Sequence, residues 1–290
     1  MSAAPTSSRR LPSPDFAAWL GVAPFFVFAA MFLIAPTAWL LVGAFQDHEG
    51  AFTLGNIVRL GQPSIRLSYW LSLEVSAASA ILGALIGLAL AALRGGLPPW
   101  LRPTLTTFSG VASNFAGVPL AFAFMATLGR LGLVTVLLRN VGIDLYAHGF
   151  NILTFWGLTI TYLYFQIPLM VLVVTPAIDG LKSEWAEAAE MLGASSWQYW
   201  RLIGLPILWP SIIGAALLLF ANAFGAIATA YALTGSSFNI APILLYAQIR
   251  GDVLHDPNLG YALALGMLAI TGASNLAYLA LRARSDRWLR

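Results

Sequence analysis

Residues 179–206 read Asp179-Gly-Leu-Lys-Ser-Glu-Trp-Ala-Glu-Ala-Ala-Glu-Met-Leu-Gly-Ala-Ser-Ser-Trp-Gln-Tyr-Trp-Arg-Leu-Ile-Gly-Leu-Pro206. Long apolar runs stand on both sides of this stretch, at residues 153–178 and 209–233. The residues between them encode helix rather than coil. Ser183 can cap a helix whose first turn holds Glu184, with Glu187 close behind, and acids near a helix N-terminus suit the macrodipole. Ala186, Ala188 and Ala189 favour helix with little bulk. Gly193 supplies a stop, because glycine readily takes the left-handed conformation at a helix end. A second helix is expected from Ser195 or Ser196, with Trp197, Trp200 and Ile203 forming a face toward the bundle or the lipid interface. Leu205-Pro206 is expected to end it before the next apolar run. Nothing bulky keeps such a small-residue helix out of a groove on another protein. The aromatic helix behind it would pass a push on to the flanking spans.

The composition explains those flanking runs. The 290-residue chain is 59% hydrophobic and 9% charged, with a mean hydropathy of +0.79. A soluble domain carries about a quarter charged residues. So few charges cannot keep a soluble surface dissolved, and a bilayer removes that requirement. A membrane helix needs roughly 20 mostly apolar residues. Six stretches qualify: residues 19–45, 68–93, 105–128, 153–178, 209–233 and 259–281. Helices satisfy their own backbone in lipid, and no ten-residue alternation suggests a barrel. The fold class expected is therefore all-α, a polytopic membrane protein with six transmembrane helices.

The first apolar run follows a polar head with Arg9 and Arg10, as a signal peptide would. It runs well past the 7–15 residues of a signal-peptide core, so an uncleaved first helix is expected. Lys and Arg then set the orientation. With the N-terminus inside, ten fall on inner segments (Arg9, Arg10, Arg94, Arg102, Lys182, Arg201, Arg282, Arg284, Arg287 and Arg290). Five fall on outer segments (Arg59, Arg66, Arg130, Arg139 and Arg250). Both termini are expected in the cytoplasm. The divisions are an N-terminal segment 1–17, a membrane domain 18–282 containing the cytoplasmic loop 179–207, and a tail 283–290. The tail arginines are read as marks of the inner face in contact with lipid phosphates.

Ionisable groups inside spans are costly and count as functional candidates. Glu74 is the one acid well inside a predicted span, about six residues or roughly 9 Å from its outer end. It either attracts a cationic substrate at the outer mouth of a path or pairs with a loop residue such as Arg66. Asn114, Gln166, Asn222, Thr229 and Tyr231 must each face protein or water, as path residues or as helix–helix hydrogen-bond partners. Tyr162 and Tyr164 lie near Gln166 and could add cation–π contacts. Pro24, Pro36, Pro119, Pro168, Pro176 and Pro242 sit in or near spans, as packing kinks or as hinges beside a path. In the outer loops, residues 134–140 and 240–249 read as short helices, the second apolar enough to lie in the interface.

Several chemistries are excluded. With no cysteine there is no thiolate site or disulfide, and His48, His148 and His255 have no metal-ligand spacing. No GxxxxGK[ST] loop, HExxH helix or GxSxG elbow occurs. The chain is expected to have no active site and no cofactor of its own, and energy must come from a partner or an ion gradient. A stand-alone ion-coupled transporter would need intramembrane acids or repeated unwound helices. Glu74 alone meets that need poorly.

The combination Glu187-Ala188-Ala189, Gly193 and Ile203-x-Leu205-Pro206, placed before the penultimate span, resembles the "EAA" loop of binding-protein-dependent ABC importer permeases. Six spans resemble the type I members, and the likeness covers most of the chain. It implies that Glu184, Glu187, Ala188, Ala189, Leu192, Gly193, Ala194 and Ser195 form a coupling helix that docks into an ATPase. Trp197, Trp200, Ile203, Leu205 and Pro206 would support it. It further implies two ATPase subunits carrying ATP and Mg, a second permease, an external substrate-binding protein and a bacterial inner-membrane location, with no nucleic acid. Leu192 departs from the Asp many members have before the glycine, and is more similar to the polyamine, iron, sulfate and thiamine branch. Residues 220–235 and 251–261 also look like polyamine-type permeases. Spermidine or putrescine is the substrate expected, with iron, thiamine, sulfate or phosphonate compounds as alternatives.

Overall fold

In this computed structural model, the structure describes residues 16–251 and 255–285. The N-terminal Arg9 and Arg10 and the tail arginines Arg287 and Arg290 lie outside the described residues. Among the described residues the regular structure is all helix, apart from one isolated bridge between Gln46 and Phe52.

The helices in order are α1 (Phe16–Ala29), α2 (Ala35–Gly43), α3 (Gly55–Arg59), α4 (Pro63–Leu93), α5 (Leu101–Asn114), α6 (Val118–Leu128) and α7 (Leu133–Asn140). Then come α8 (Phe155–Asp179), α9 (Ser183–Met191), α10 (Ser196–Tyr199), α11 (Leu205–Phe224), α12 (Ile227–Thr234), α13 (Ala241–Arg250) and α14 (Pro257–Ser285). Two π turns, Ala30–Ile34 and Trp200–Gly204, join α1 to α2 and α10 to α11 without a break. Six stretches are long and apolar enough to cross a membrane: Gly21–Gly43, Pro63–Gly96, Val118–Asn140, Phe155–Asp179, Ser196–Phe224 and Pro257–Ala283.

The centre is a three-helix contact of α4, α8 and α11, with α5 laid on α8 and α14 on α11. Small residues make the close approach possible. A Cβ on Gly87 would stand 2.5 Å from the Met170 Cβ and 2.8 Å from the Ile167 carbonyl oxygen. One on Gly83 would stand 2.8 Å from the Gln166 Cβ. Membrane helices gain from such contact because lipid supplies no hydrophobic drive between them. Buried hydroxyls add bonds: Ser72 accepts from the Ala241 amide at 2.8 Å, and Ser274 donates to the Leu217 carbonyl at 2.9 Å. By contrast, among the main contacts of the described residues α1 meets no other span and α2 meets only α14. The first span shows Phe25, Phe28, Phe32 and Trp39 to its surroundings.

Four sequence expectations change. The run 105–128 is two helices, because Gly117 takes φ +78° and Phe115–Gly117 leave the helix. The fifth run is likewise broken, with α11 ending at Phe224 and α12 starting at Ile227. Pro206 does not end a helix. It follows the wide π turn, in which the Leu205 amide donates to the Trp200 carbonyl, so the chain passes from α10 into α11 continuously. Finally, α13 is packed on its neighbours rather than free to turn its apolar side to lipid. Ala241, Pro242, Ile243, Leu244 and Gln248 are buried against α14 and α4. The helix expected at 134–140 is α7, packed on α6.

Candidate functional site

The loop between the fourth and fifth spans is α9 followed by α10, as the residues suggest. Ser183 is the first helical residue rather than the cap; Lys182 takes the cap position in an extended conformation, with no side-chain hydrogen bond. The far end is well made. Gly193 has φ +77°, the Ala194 amide donates to Ala189 at 3.0 Å, and the Gly193 amide donates to Glu190 at 2.8 Å. This 6→1 and 5→2 pair is the Schellman closure, and the left-handed residue it needs is the glycine. Ser195 then opens α10 with a reciprocal capping box to Gln198. The chain therefore turns sharply between two helices whose ends are both satisfied.

One face of α9 looks away from the protein. Ala189 is buried and Trp185 half-buried, whereas Glu184, Glu187 and Ala188 are exposed. Met191 and Leu192 are 89% and 88% exposed. Two large apolar side chains at that exposure, beside a row of acids, leave an unmet apolar contact. Met191 carries no signal in the sequence beyond standing two residues before the glycine stop. Behind this face, Trp200 packs over Gly204, where an added Cβ would stand 2.7 Å from its ring. Ile203 and Leu208 face inward to different degrees, while Trp197 is exposed. Arg94, at the end of α4, donates to both carboxylate oxygens of Asp179, the last residue of α8.

A second cluster forms where the two broken helices meet. The Gly117 amide donates to the Thr229 hydroxyl at 2.7 Å, and the Tyr162 hydroxyl donates to the Ala226 carbonyl at 2.7 Å. Backbone that leaves the helix inside a membrane must be satisfied by protein or water. Thr229 and Tyr162 do this here. A cavity of about 400 Å³ opens at the junction, lined by Ser113, Gly117, Phe165, Asn222, Ala226 and Thr229 among others. Asn222 is exposed there, and Asn114 nearby on α5 donates back to Gly110 at 2.8 Å. Tyr231 is half-exposed on α12, its ring 5.0 Å from Tyr246.

Other candidates sit elsewhere. Tyr162 and Gln166 are fully buried. Gln166 donates to the Leu219 carbonyl at 2.9 Å and ties α8 to α11. Tyr164 packs edge-on to Phe115 and Phe124. Glu74 is exposed on α4, makes no ion pair among the described residues, and is not in the cavity lining. At the opposite end from α9, Arg59 pairs with Asp256 at 2.7 Å, tying α3 to the start of α14. Burial opposes the Asp256 charge, but the Leu259 amide and the Arg59 guanidinium outweigh it and hold the carboxyl below the usual range. Among the described residues no group of three His, Asp or Glu could hold a metal.

Comparison with known proteins fits this layout. The profile of the family described as "Binding-protein-dependent transport system inner membrane component" matches residues 83–290. The spermidine/putrescine transport system permease protein PotB of Haemophilus influenzae is 27% identical over 258 residues, 86% of this chain and 88% of that protein. The molybdenum transport system permease protein ModB of Mycobacterium bovis is 27% identical over 215 residues, 72% of this chain and 76% of that one. PotC of Escherichia coli is 29% identical over 119 residues, 41% and 44% of the two chains. A chain of a bacterial ABC transporter involved in import of the acidic polysaccharide alginate superposes with a TM-score of 0.70 at 18% identity, over 94% of this chain and 96% of that chain. The matched region contains α9, the glycine turn and both helix breaks, and the chain belongs to the inner-membrane permease components of binding-protein-dependent ABC importers.

Proposed function

We propose that this permease couples substrate passage to a partner ATPase through α9, and that its path runs past the paired helix breaks. The observation that carries the first half is the exposed end of α9: Glu187 beside Met191 and Leu192, closed by the Gly193 turn. An acid-edged helix with two exposed apolar side chains fits a cleft on another protein. The root of the loop is tied to α4 by Arg94–Asp179 and its far side runs without a break into α11. Movement of α9 is thereby passed to two of the three central helices. In this reading ATP and Mg bind on two ATPase subunits, at the cytoplasmic face with both termini. A second permease covers the cavity side, and a substrate-binding protein meets the α3, α7 and α13 end. Transport is alternating access, in which each partner shifts the equilibrium only by its differential affinity for the two states.

A polyamine such as spermidine or putrescine is the substrate this reading favours, supported by the PotB and PotC relatives. A molybdenum compound is the second reading. It is favoured by the ModB relative and by a cavity lining with an amide and hydroxyls but no carboxylate. Uptake of labelled spermidine, putrescine and molybdate into cells carrying or lacking the gene decides between them. Gene-dependent polyamine uptake supports the first reading. Gene-dependent molybdate uptake alone replaces it with the second.

A further inference from the structure

The elbow between α4 and α5 places two arginines on one cavity. Residues Arg94–Gly96 form a tight turn after α4, and α5 starts at Leu101. The cavity, about 500 Å³, is lined by Arg94, Pro99, Arg102, Pro103, Thr106 and Thr107. Arg94 has an acid partner in Asp179. Arg102 has none among the described residues. Its Nε donates to the Leu97 carbonyl at 3.1 Å, and a terminal nitrogen donates to the Gly95 carbonyl at 2.6 Å. Those two carbonyls fix the guanidinium without neutralising it. Since a guanidinium has five N–H donors, donors remain for a ligand in the cavity.

The depth of the cavity points to the ligand. Leu93, Trp100 and Phe108, neighbours in sequence of the lining residues, are all largely exposed. Exposed tryptophan beside arginine at the end of a span marks the headgroup level. An uncompensated cation there, with hydroxyls around it and apolar side chains beside it, suits a phosphodiester with acyl chains attached. We propose that this cavity binds the phosphate of an anionic phospholipid, of the phosphatidylglycerol type. A zwitterionic headgroup carries its own cation and gains less from Arg102. The assignment to the cytoplasmic leaflet rests on the orientation proposed above; the site itself does not. Because Arg94 is both a wall of the cavity and the partner of Asp179, an occupied cavity steadies the root of α9.

Native mass spectrometry of the full-length chain, titrated with phosphatidylglycerol, phosphatidylcholine or inorganic phosphate, tests this. Phosphatidylglycerol is expected to be retained about five-fold better than phosphatidylcholine, the effect of one interfacial arginine. Arg102→Gln should abolish that preference and Arg102→Lys should keep it. Thr107→Glu, which leaves both carbonyl bonds of Arg102 in place, should also weaken it; Arg282→Gln should not. Equal retention of the two lipids, or a preference that survives both Arg102→Gln and Thr107→Glu, overturns the proposal. Displacement of the lipid by equimolar inorganic phosphate would assign the cavity to a free oxyanion instead. Loss of ATPase capture in Arg102→Gln with lipid retention unchanged would assign it to the ATPase.

Discussion

Arg94 donates from a single terminal nitrogen to both oxygens of Asp179, at 2.7 and 2.6 Å. The end of α4 is thus fastened to the residue from which the loop carrying α9 departs. Arg94 is mostly buried and Asp179 half-exposed, so the pair is screened and contributes only about 0–1 kcal/mol to stability. Its value is positional. Arg94→Gln should lower transport per ATP hydrolysed several-fold while thermal unfolding barely moves. The reversed pair, Arg94→Asp with Asp179→Arg, should recover most of the loss. Transport and hydrolysis measured together in proteoliposomes check this.

Met191 and Leu192 are already exposed to water, so removing their bulk costs the isolated chain little. Met191→Ser with Leu192→Ser should leave the unfolding temperature unchanged and reduce capture of the ATPase by at least an order of magnitude. Gly193→Ala is a different case. Its φ of +77° is left-handed, and a Cβ there costs roughly 1–2 kcal/mol. That variant should loosen the turn and weaken capture to a smaller extent, as read by the same pull-down.

Gly87 lies against Met170 and Ile167, where a side chain has no room. Gly87→Val should destabilise the α4–α8 contact by about 1–3 kcal/mol, the usual cost of overpacking. Gly95, with nothing within 4 Å of its added Cβ, accepts alanine silently. Thermal unfolding in detergent separates the two.

Thr229 supplies the acceptor for the Gly117 amide across the two helix breaks. Thr229→Val keeps the shape and leaves that amide unpaired, a cost of about 1–3 kcal/mol. Transport should fall with ATPase capture intact, because α9 is untouched. Thr229→Ser, which keeps the hydroxyl, should retain activity.

The sequence foretold the helix ends of the loop better than the helix breaks inside the spans, for a physical reason. Helix ends and turns are written in local residue types, and Gly193, Ser195 and Gln198 sit where local chemistry puts them. The breaks at Phe115–Gly117 and Gly225–Ala226 lie inside runs that are apolar on average, so a hydropathy window passes straight across them. Pro206 misleads for the opposite reason: a local stop signal is absorbed by the π turn before it. Tyr162 and Gln166 look like path residues by polarity. Their partners, Ala226 and Leu219, are 64 and 53 residues away, a distance that no pattern in the sequence reveals.

Asp256 gives a pH test. Its carboxyl is held below the usual range in the folded chain, so its contribution is present at neutral pH. That contribution is lost as pH falls below about 4, through the depressed value. Acid should therefore loosen the α3–α14 tie. Asp256→Asn should be less stable than the native chain at pH 7 and lose less on acidification, as followed by thermal unfolding.

The coupling role of α9 is decided by what it touches. The chain has no cysteine, so Leu192→Cys creates a unique point for a photoreactive maleimide. In the assembled importer, light should link that position to the ATPase, and Val141→Cys, 72% exposed in the native chain at the opposite end, should not. A crosslink to the ATPase from position 141 and none from position 192 would contradict the assignment of α9 as the coupling element.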